Sequence, residues 1–252
     1  CYDLQKACFV EYMEPEDQDR NYSKLFLASC GDVWLWHPDN GVRRVIHQEE
    51  GILTSTVFKT EAGNLPDNRV NFVREDNDGR IWIGTKRGVA LVVDGEVKIV
   101  DRALHFVSML ANGDRVYFLT ENGDIYSYQE KTQELLKQAA LSAVAGKMSL
   151  TDDFRIKDKW VIFTSTGVYN YDLVKYTLTP DTHLDIKKGE VICDNRGDYW
   201  IYNRTGCVHY ISAATGKVKS FQFIPEDKLD HIDFERYHIV HDSRGIIWIS
   251  TY

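Results

Sequence analysis

A short pattern that recurs along the chain constrains its fold more than any other feature. Glycine precedes tryptophan by three residues at Gly79–Trp82, Gly197–Trp200 and Gly245–Trp248, and a further glycine follows the first two tryptophans after six residues. Weaker copies in the same frame place other residues at the tryptophan position: Leu25, Tyr117 and Val161. The six positions lie 35 to 57 residues apart. A four-stranded propeller blade takes about 40–50 residues. The spacing therefore predicts propeller repeats, with an insertion between His47 and Leu65 at the longest interval.

The segments around these positions have the composition of strands. They are short, rich in Val, Ile, Tyr, Trp and Phe, and often apolar on both alternating faces, which is typical of strands buried between two layers. Glycine-containing hairpin turns separate them. Only residues 130–146 have a helical composition, and we predict a strand end followed by a loop or a short helix there. The predicted fold class is all-β. Residues 1–252 are predicted to form a β-propeller segment of about five four-stranded blades plus the first half of a sixth, and an ordinary β-sandwich is the alternative.

Charge and motifs exclude several classes of function. The formal net charge of −8 argues against a nucleic-acid partner. We find no apolar run of the roughly 20 residues that a membrane helix needs, and no phosphate-binding loop, zinc motif or nucleophile elbow. Asp76 and Asp78 resemble the start of a calcium loop, but the other ligands are missing and a hairpin turn explains them better. We therefore predict no catalytic residue, no metal site and no cofactor.

Exposed polar turns are the first candidates for ligand binding. The turn that follows each tryptophan position contains variable residues, and basic ones stand there at Lys86, Arg87 and Arg204. Equivalent turns of successive blades are expected on one face of a propeller, and binding residues favour such loops. We predict that these three residues contact a hydroxyl-rich or acidic sugar. The alternative is that they are solvated turn residues without a ligand.

The tryptophans divide into two groups. Trp82, Trp200 and Trp248 recur in the repeat frame and are predicted to pack between blades. Trp34 and Trp36 do not fit that frame, and they share a strand face because they are two residues apart. They are predicted to form a stacking platform for a sugar ring, with packing between blades as the alternative.

The best-preserved copies resemble a known family. Leu65–Val70, Asp76–Gly79, Ile81–Thr85 and Gly88 together resemble the regulator-propeller repeat of bacterial hybrid two-component sensors, and His241–Thr251 is a second close copy. The resemblance implies the periplasmic, non-enzymatic sensor region of an inner-membrane receptor that recognises an oligosaccharide. It also implies a histidine kinase elsewhere in the receptor, a homodimer in the full-length protein, and seven-bladed propellers of which this chain is an incomplete part.

Two other functions stay open from the sequence. A propeller lyase or hydrolase acting on polysaccharide would need a compact group of His, Tyr, Arg or carboxylate side chains, which the sequence does not single out. A protein-interaction scaffold would bind a partner protein without responding to a small ligand. Turnover of polysaccharide separates the first from a sensor, and ligand binding separates the second.

Overall fold

The computed structural model of the chain describes residues 2–3, 8–9, 24–37, 39–47, 53–146, 149–181, 189–194, 196–203, 206–225, 227–228, 239–242 and 244–249. These residues belong to two compact units. Unit 1 contains Cys1–Thr120 with Tyr126–Lys137, and unit 2 contains Glu121–Ile125 with Gln138–Tyr252. Strands dominate both units, and the short helical turns include Thr60–Ala62 (3-10) and α1 (Ser142–Ala145). A short pair, β1 (Tyr2–Asp3) and β2 (Cys8–Phe9), begins the chain's described part.

Unit 1 holds two complete four-stranded sheets and most of a third, which we call blades 1, 2 and 3. Blade 1 contains β3 (Lys24–Leu27), β4 (Val33–Trp36), β5 (Val42–His47) and β6 (Leu53–Phe58). Blade 2 contains β7 (Val70–Glu75), β8 (Ile81–Thr85), β9 (Gly88–Val93) and β10 (Glu96–Asp101). Blade 3 contains β11 (Phe106–Asn112), β12 (Arg115–Thr120), β13 (Asp124–Gln129) and β14 (Glu134–Ala140). In each blade, strands adjacent in sequence are adjacent in the sheet.

Unit 2 repeats the same arrangement. Blade 4 contains β15 (Leu150–Ile156), β16 (Lys159–Thr164), β17 (Gly167–Asp172) and β18 (Thr177–Pro180). Blade 5 contains β19 (Gly189–Cys193), β20 (Tyr199–Asn203), β21 (Cys207–Ile211) and β22 (Val218–Gln222). An antiparallel pair follows, β23 (Ile239–His241) and β24 (Ile247–Ile249). We call the connections after the first, second and third strands of a blade its first, second and third turns.

Both faces of a blade are covered, which explains the uniformly apolar strands. In β8, Ile81 and Ile83 contribute to a core with blade 1, whereas Trp82 belongs to the core shared with blade 3. Because side chains alternate along a strand, covering both faces requires apolar residues at consecutive positions. The prediction of an all-β fold built from four-stranded blades is confirmed. The segment 130–146 forms β14 and the short α1, as expected.

One part of the predicted repeat frame is wrong. Leu25 lies in β3, the first strand of blade 1, whereas the other five positions lie in second strands. Trp34 is the true equivalent, because it lies in β4 and follows Gly31 by three residues. The interval to Trp82 is then 48 residues, so the predicted insertion between His47 and Leu65 disappears. The error arose because Leu25 also precedes a glycine, Gly31, by six residues, which mimics the spacing of the second turn.

Candidate functional site

An aspartate organises the first turn of blade 2. Asp76 Oδ1 accepts hydrogen bonds from the backbone N–H groups of Asp78 and Arg80, each at 3.0 Å, and Asp76 Oδ2 accepts one from Trp82 Nε1 at 2.7 Å. Arg80 Nε also lies 2.8 Å from Asp76 Oδ2. The predicted hairpin turn is confirmed, and the carboxylate that resembled a calcium ligand is used within it.

The same arrangement recurs six residues before two further tryptophans. Asp194 accepts from the N–H groups of Arg196 and Asp198 and, at 3.0 Å, from Trp200 Nε1. Burial tends to raise the pKa of Asp194, but these hydrogen bonds outweigh it and the pKa is lowered. Asp242 accepts from Trp248 Nε1 at 3.3 Å, and its pKa is also lowered, chiefly by the Ile246 backbone N–H. The Asp–Trp bond is therefore part of the repeat, and the analysis of tryptophan and glycine spacing alone missed it.

The three repeat tryptophans differ in packing. Trp82 is fully buried, with its ring centroid 5.0 Å from that of Phe118 and 4.9 Å from that of Tyr128, so its predicted packing between blades is confirmed. Trp200 is half-buried in the core that includes Ile247 and Ile249. Trp248 is 54% exposed, and its predicted packing role is wrong in this structure. Strand alternation explains this, because its neighbours Ile247 and Ile249 face blade 5 and leave Trp248 on the opposite face.

Trp34 and Trp36 do share a strand face, but that face is enclosed. They are 1% and 6% exposed, and the Trp34 ring stacks on Phe58 with centroids 5.4 Å apart. Ala28 stands where the copies around Trp82, Trp200 and Trp248 have aspartate, and within the described residues Trp34 Nε1 has no hydrogen-bond acceptor. A sugar ring needs an exposed aromatic face, so the predicted stacking platform is not formed, and packing between blades accounts for both residues.

The second turns of blades 2 and 4 have a common construction that leaves their middle side chains exposed. Thr85 Oγ1 donates to the Gly88 carbonyl at 2.8 Å and accepts from the Arg87 N–H at 3.2 Å. Thr164 makes the equivalent bonds in blade 4. Lys86 and Arg87 are exposed, and their side chains have no hydrogen-bond or ion-pair partner in the described part of the chain. Arg204 lies outside the described residues, so its predicted role is untested, and the grouping of these turns on one face stays a prediction.

Beside this turn, an ion pair fixes another arginine. Arg69 Nε and Nη2 bind the two carboxylate oxygens of Asp67, with the Nη2–Oδ2 pair at 2.6 Å. The pKa of Asp67 is lowered, first by the Arg69 side-chain hydrogen bonds and to a smaller degree by the charge of Arg87. Arg69 is therefore committed to Asp67, whereas Lys86 and Arg87 keep their charges available.

A cleft of about 590 Å³ lies between blades 2 and 3, beside the first turn of blade 2. Its cations are engaged by the protein itself. Arg80 binds Asp76 and, through Nη1 at 2.7 Å, Glu130, and Lys98 donates to Gln133. Burial, followed by the charge of Glu130, raises the pKa of Tyr128 in its wall. Apolar residues such as Leu91 and Val97 also line this cleft, and its two cations, Arg80 and Lys98, are bound by side chains of blades 2 and 3.

A second cleft, of about 490 Å³, occupies the corresponding place between blades 4 and 5. Its lining is basic: Lys157, Lys159 and Lys175. Among the described residues, none of their ammonium groups has a hydrogen-bond or ion-pair partner. Sequence reasoning missed this cleft because three separate turns build it. The usable signal was the first turn of blade 4, where Lys157-Asp158 replaces the aspartate-and-glycine turn of the repeat.

Comparisons with known proteins show first the fold that this chain shares and then the repeat that it matches. The chain superposes on the extracellular domain of a hybrid two component system from B. thetaiotaomicron with a TM-score of 0.67, at 16% identity over 91% of this chain and 34% of that chain. It also superposes on virginiamycin B lyase from Staphylococcus aureus with a TM-score of 0.60, at 14% identity over 90% and 76% of the two chains. For the WD40 β-propeller domain of Doa1 the TM-score is 0.58, at 12% identity over 90% and 76%.

These likenesses show the fold, a β-propeller. The chain spans about a third of the first of these structures. Residues 64–87 match the family model of the two component regulator propeller. The recognition of a regulator-propeller repeat at Leu65–Val70 and the following residues is thereby confirmed. No curated protein sequence matches the chain. Within the described residues, no helix is long and apolar enough to span a membrane.

Proposed function

We propose that this chain is a ligand-sensing propeller of a bacterial hybrid two-component receptor. The observation that carries the proposal is the match of residues 64–87 to the two component regulator propeller. The likeness to the extracellular domain of a hybrid two component system agrees with it. The propeller would lie outside the cytoplasm, in the periplasm, bind an oligosaccharide, and signal to a histidine kinase outside this chain, with the full-length receptor acting as a homodimer.

A sensor differs from an enzyme in what happens to its ligand. Signalling depends on occupancy that shifts a conformational equilibrium, so the ligand must leave unchanged. The exposed side chains of Lys86 and Arg87 suit this task, because they offer hydrogen-bond donors to a ligand. Lys86, Arg87 and Arg204 remain the proposed ligand contacts at the second turns.

Calorimetric titration of the purified chain with defined oligosaccharides from plant, host and microbial polysaccharides tests the proposal. We expect one class to bind and to be recovered unaltered by mass spectrometry. Bound ligand should also raise the melting temperature in proportion to the logarithm of ligand concentration over Kd. Cleavage of the ligand would establish the lyase or hydrolase alternative instead, and binding only to a partner protein would establish the scaffold.

Site variants sharpen the same titration. Arg87→Ala and Arg204→Ala should each weaken binding by about tenfold, the loss expected for one charge-assisted hydrogen bond. Lys131→Ala, an exposed cation in the third turn of blade 3, is the matched control and should bind as the unmodified chain does. Unchanged affinity in both arginine variants would remove the second turns from the binding site.

A further inference from the structure

Hydrogen bonds from backbone N–H groups fix the turns that form the basic cleft between blades 4 and 5. The Asp158 carbonyl in the first turn of blade 4 accepts from the N–H of Leu173 in the third turn at 2.7 Å. Asp172 Oδ1 accepts from the N–H groups of Val174 and Lys175 at 3.0 and 2.8 Å. The two turns of blade 4 are thereby fastened to each other, and the turn containing Thr215 and Gly216 of blade 5 closes the opposite side.

The position of Lys157 carries a conformational cost. Lys157 has a φ of +52°, in the left-handed region. The equivalent residue in the two-residue first turn of blade 3 is Gly113, with a φ of +62°. A side chain in this region costs about 1–2 kcal/mol relative to the right-handed conformation, a cost that glycine avoids. Non-glycine residues held in such conformations are enriched at functional sites. Lys157 shares this conformation with Asp94, Gln133 and Tyr176, so the conformation supports a role for its side chain only together with the charge of the cleft.

The charge of this cleft is opposite to that of the chain. The chain has a formal net charge of −8, yet three lysines line the cleft against two aspartates. The Asp172 carboxylate accepts hydrogen bonds from backbone N–H groups, and its pKa is lowered, first by the N–H of Lys175 and to a smaller degree by the charges of Lys175 and Lys159. Asp172 therefore holds a turn through its own hydrogen bonds and does not form an ion pair with the lysines. Among the described residues, none of the three ammonium groups is in hydrogen-bond or ion-pair contact with a carboxylate, so each can approach an anion in the cleft.

We infer that this cleft binds the carboxylate groups of an acidic oligosaccharide. The volume, about 490 Å³, is that of a small-molecule site. Flexible lysine side chains can reach several carboxylates along a chain of sugars, each as a point charge. Thr215 adds a hydroxyl, and Val174, 63% exposed, adds an apolar surface for a sugar ring. The choice of a glycan rests on the proposed function. The preference for acidic over neutral ligands rests on the cleft alone.

The test compares two ligands that differ only in charge. Oligogalacturonate and its methyl-esterified form share one backbone, and the full chain would be titrated with each by calorimetry at low and high salt. We expect the free acid to bind at least about tenfold more tightly than the ester, with affinity that falls as salt screens the lysines. Equal affinity for acid and ester would overturn the inference and leave the sensing proposal intact.

Variants then locate the binding. Lys157→Gln and Lys175→Gln should each weaken binding of the acid by about tenfold. Lys131→Gln should leave it unchanged. Lys157→Gly should also weaken binding, while its melting temperature stays the same or rises because glycine adopts the left-handed conformation without strain. A lysine that only stabilised the fold would instead lower the melting temperature when it is replaced. Loss of affinity in Arg87→Ala without loss in the lysine variants would assign the site to the second turns and reject this cleft. Failure of every glycan to bind would reject the sensing proposal as well.

Discussion

Blades 2 and 4 have the same strand order, but their first turns are stabilised by different hydrogen bonds. In blade 2, Asp76 gathers two backbone N–H groups, a guanidinium and the Trp82 ring N–H into one turn. Blade 4 has a two-residue turn with Lys157 in the left-handed region, and among the described residues no carboxylate accepts hydrogen bonds from the backbone of this turn. It still has a buried tryptophan, Trp160, whose Nε1 donates to Asp153 at 2.8 Å from within the strand.

The difference separates residues that hold the fold from residues that face solvent. In blade 2 the charged groups of the first turn bind one another or blade 3. Arg80 forms ion pairs both with Asp76 in the same turn and with Glu130 in blade 3. In blade 4 the Trp160 N–H donates to Asp153 within the sheet, so the first turn does not have to supply an acceptor for it. This turn instead presents lysines whose ammonium groups have no partner among the described residues. The departure of blade 4 from the repeat is therefore where we place the binding of an acidic ligand, apart from the ligand contacts proposed at the second turns.

The largest expected effect follows removal of a buried tryptophan. Trp82→Ala and Trp160→Ala should each lower the free energy of unfolding by about 3–5 kcal/mol, because both rings are fully buried and truncation leaves a cavity. Trp248→Ala should cost less than about 1 kcal/mol, because that ring is mostly exposed. Urea denaturation of the three variants checks the order. A loss below about 1 kcal/mol for Trp82→Ala would contradict its assignment to the core.

Removal of the turn carboxylate should have the next largest effect. Asp76→Ala leaves the Trp82 N–H and two backbone N–H groups without their acceptor and Arg80 without one of its partners. Lost partners of buried groups cost about 1–3 kcal/mol, and more where a charge is involved, so we expect roughly 3 kcal/mol in the same denaturation experiment. Asp242→Ala makes the comparison, and its loss should be smaller because Asp242 and Trp248 are more exposed. Equal losses would show that burial does not determine the strength of this turn.

A glycine tests the second turn in the same way. Gly88 has a φ of +117°, and a Cβ there would lie 2.0 Å from the Asp101 carbonyl oxygen. Gly88→Ala should cost roughly 2–3 kcal/mol, from backbone strain together with that contact. Gly113 also has a positive φ, but a Cβ there would meet no atom within 4 Å. Gly113→Ala should therefore lower the free energy of unfolding by only about 1 kcal/mol. Thermal unfolding of the pair separates steric contact from backbone conformation.

Acid should weaken the blade 5 turn by the smallest amount. The folded pKa of Asp194 is lowered, so its ionised form stabilises the fold above the unfolded pKa of about 3.9. This stabilisation is lost as the pH falls through the folded pKa. Asp194→Asn should flatten the stability profile below about pH 4 relative to the unmodified chain. An unchanged slope in unfolding measured from pH 5 to pH 3 would contradict the assignment.

The sequence allowed the blades to be predicted because turn spacing and two-faced apolar strands are local signals. The repeat frame assigned Leu25 to the wrong strand, because a glycine six residues after the frame position occurs in two different turns. Only the order of the strands distinguishes these turns. The Asp76–Trp82 bond was in principle readable, since aspartate precedes tryptophan by six residues in three copies. The basic cleft was not, because Lys157, Lys175 and Thr215 come together only when three turns of two blades are assembled.

A double-mutant cycle between Asp76 and Trp82 tests most directly whether the repeat's signature residues act as one structural unit. Unfolding free energies would be measured for Asp76→Asn, which keeps the side-chain size, for Trp82→Phe, which keeps an aromatic ring without the N–H donor, and for the double variant; the cavity left by the smaller ring cancels in the cycle. A charge-assisted hydrogen bond that is fully buried predicts a coupling energy of about 1.5–3 kcal/mol between the two positions. Losses that add to within about 0.5 kcal/mol would contradict it, because they would mean that the aspartate and the tryptophan stabilise the blade independently.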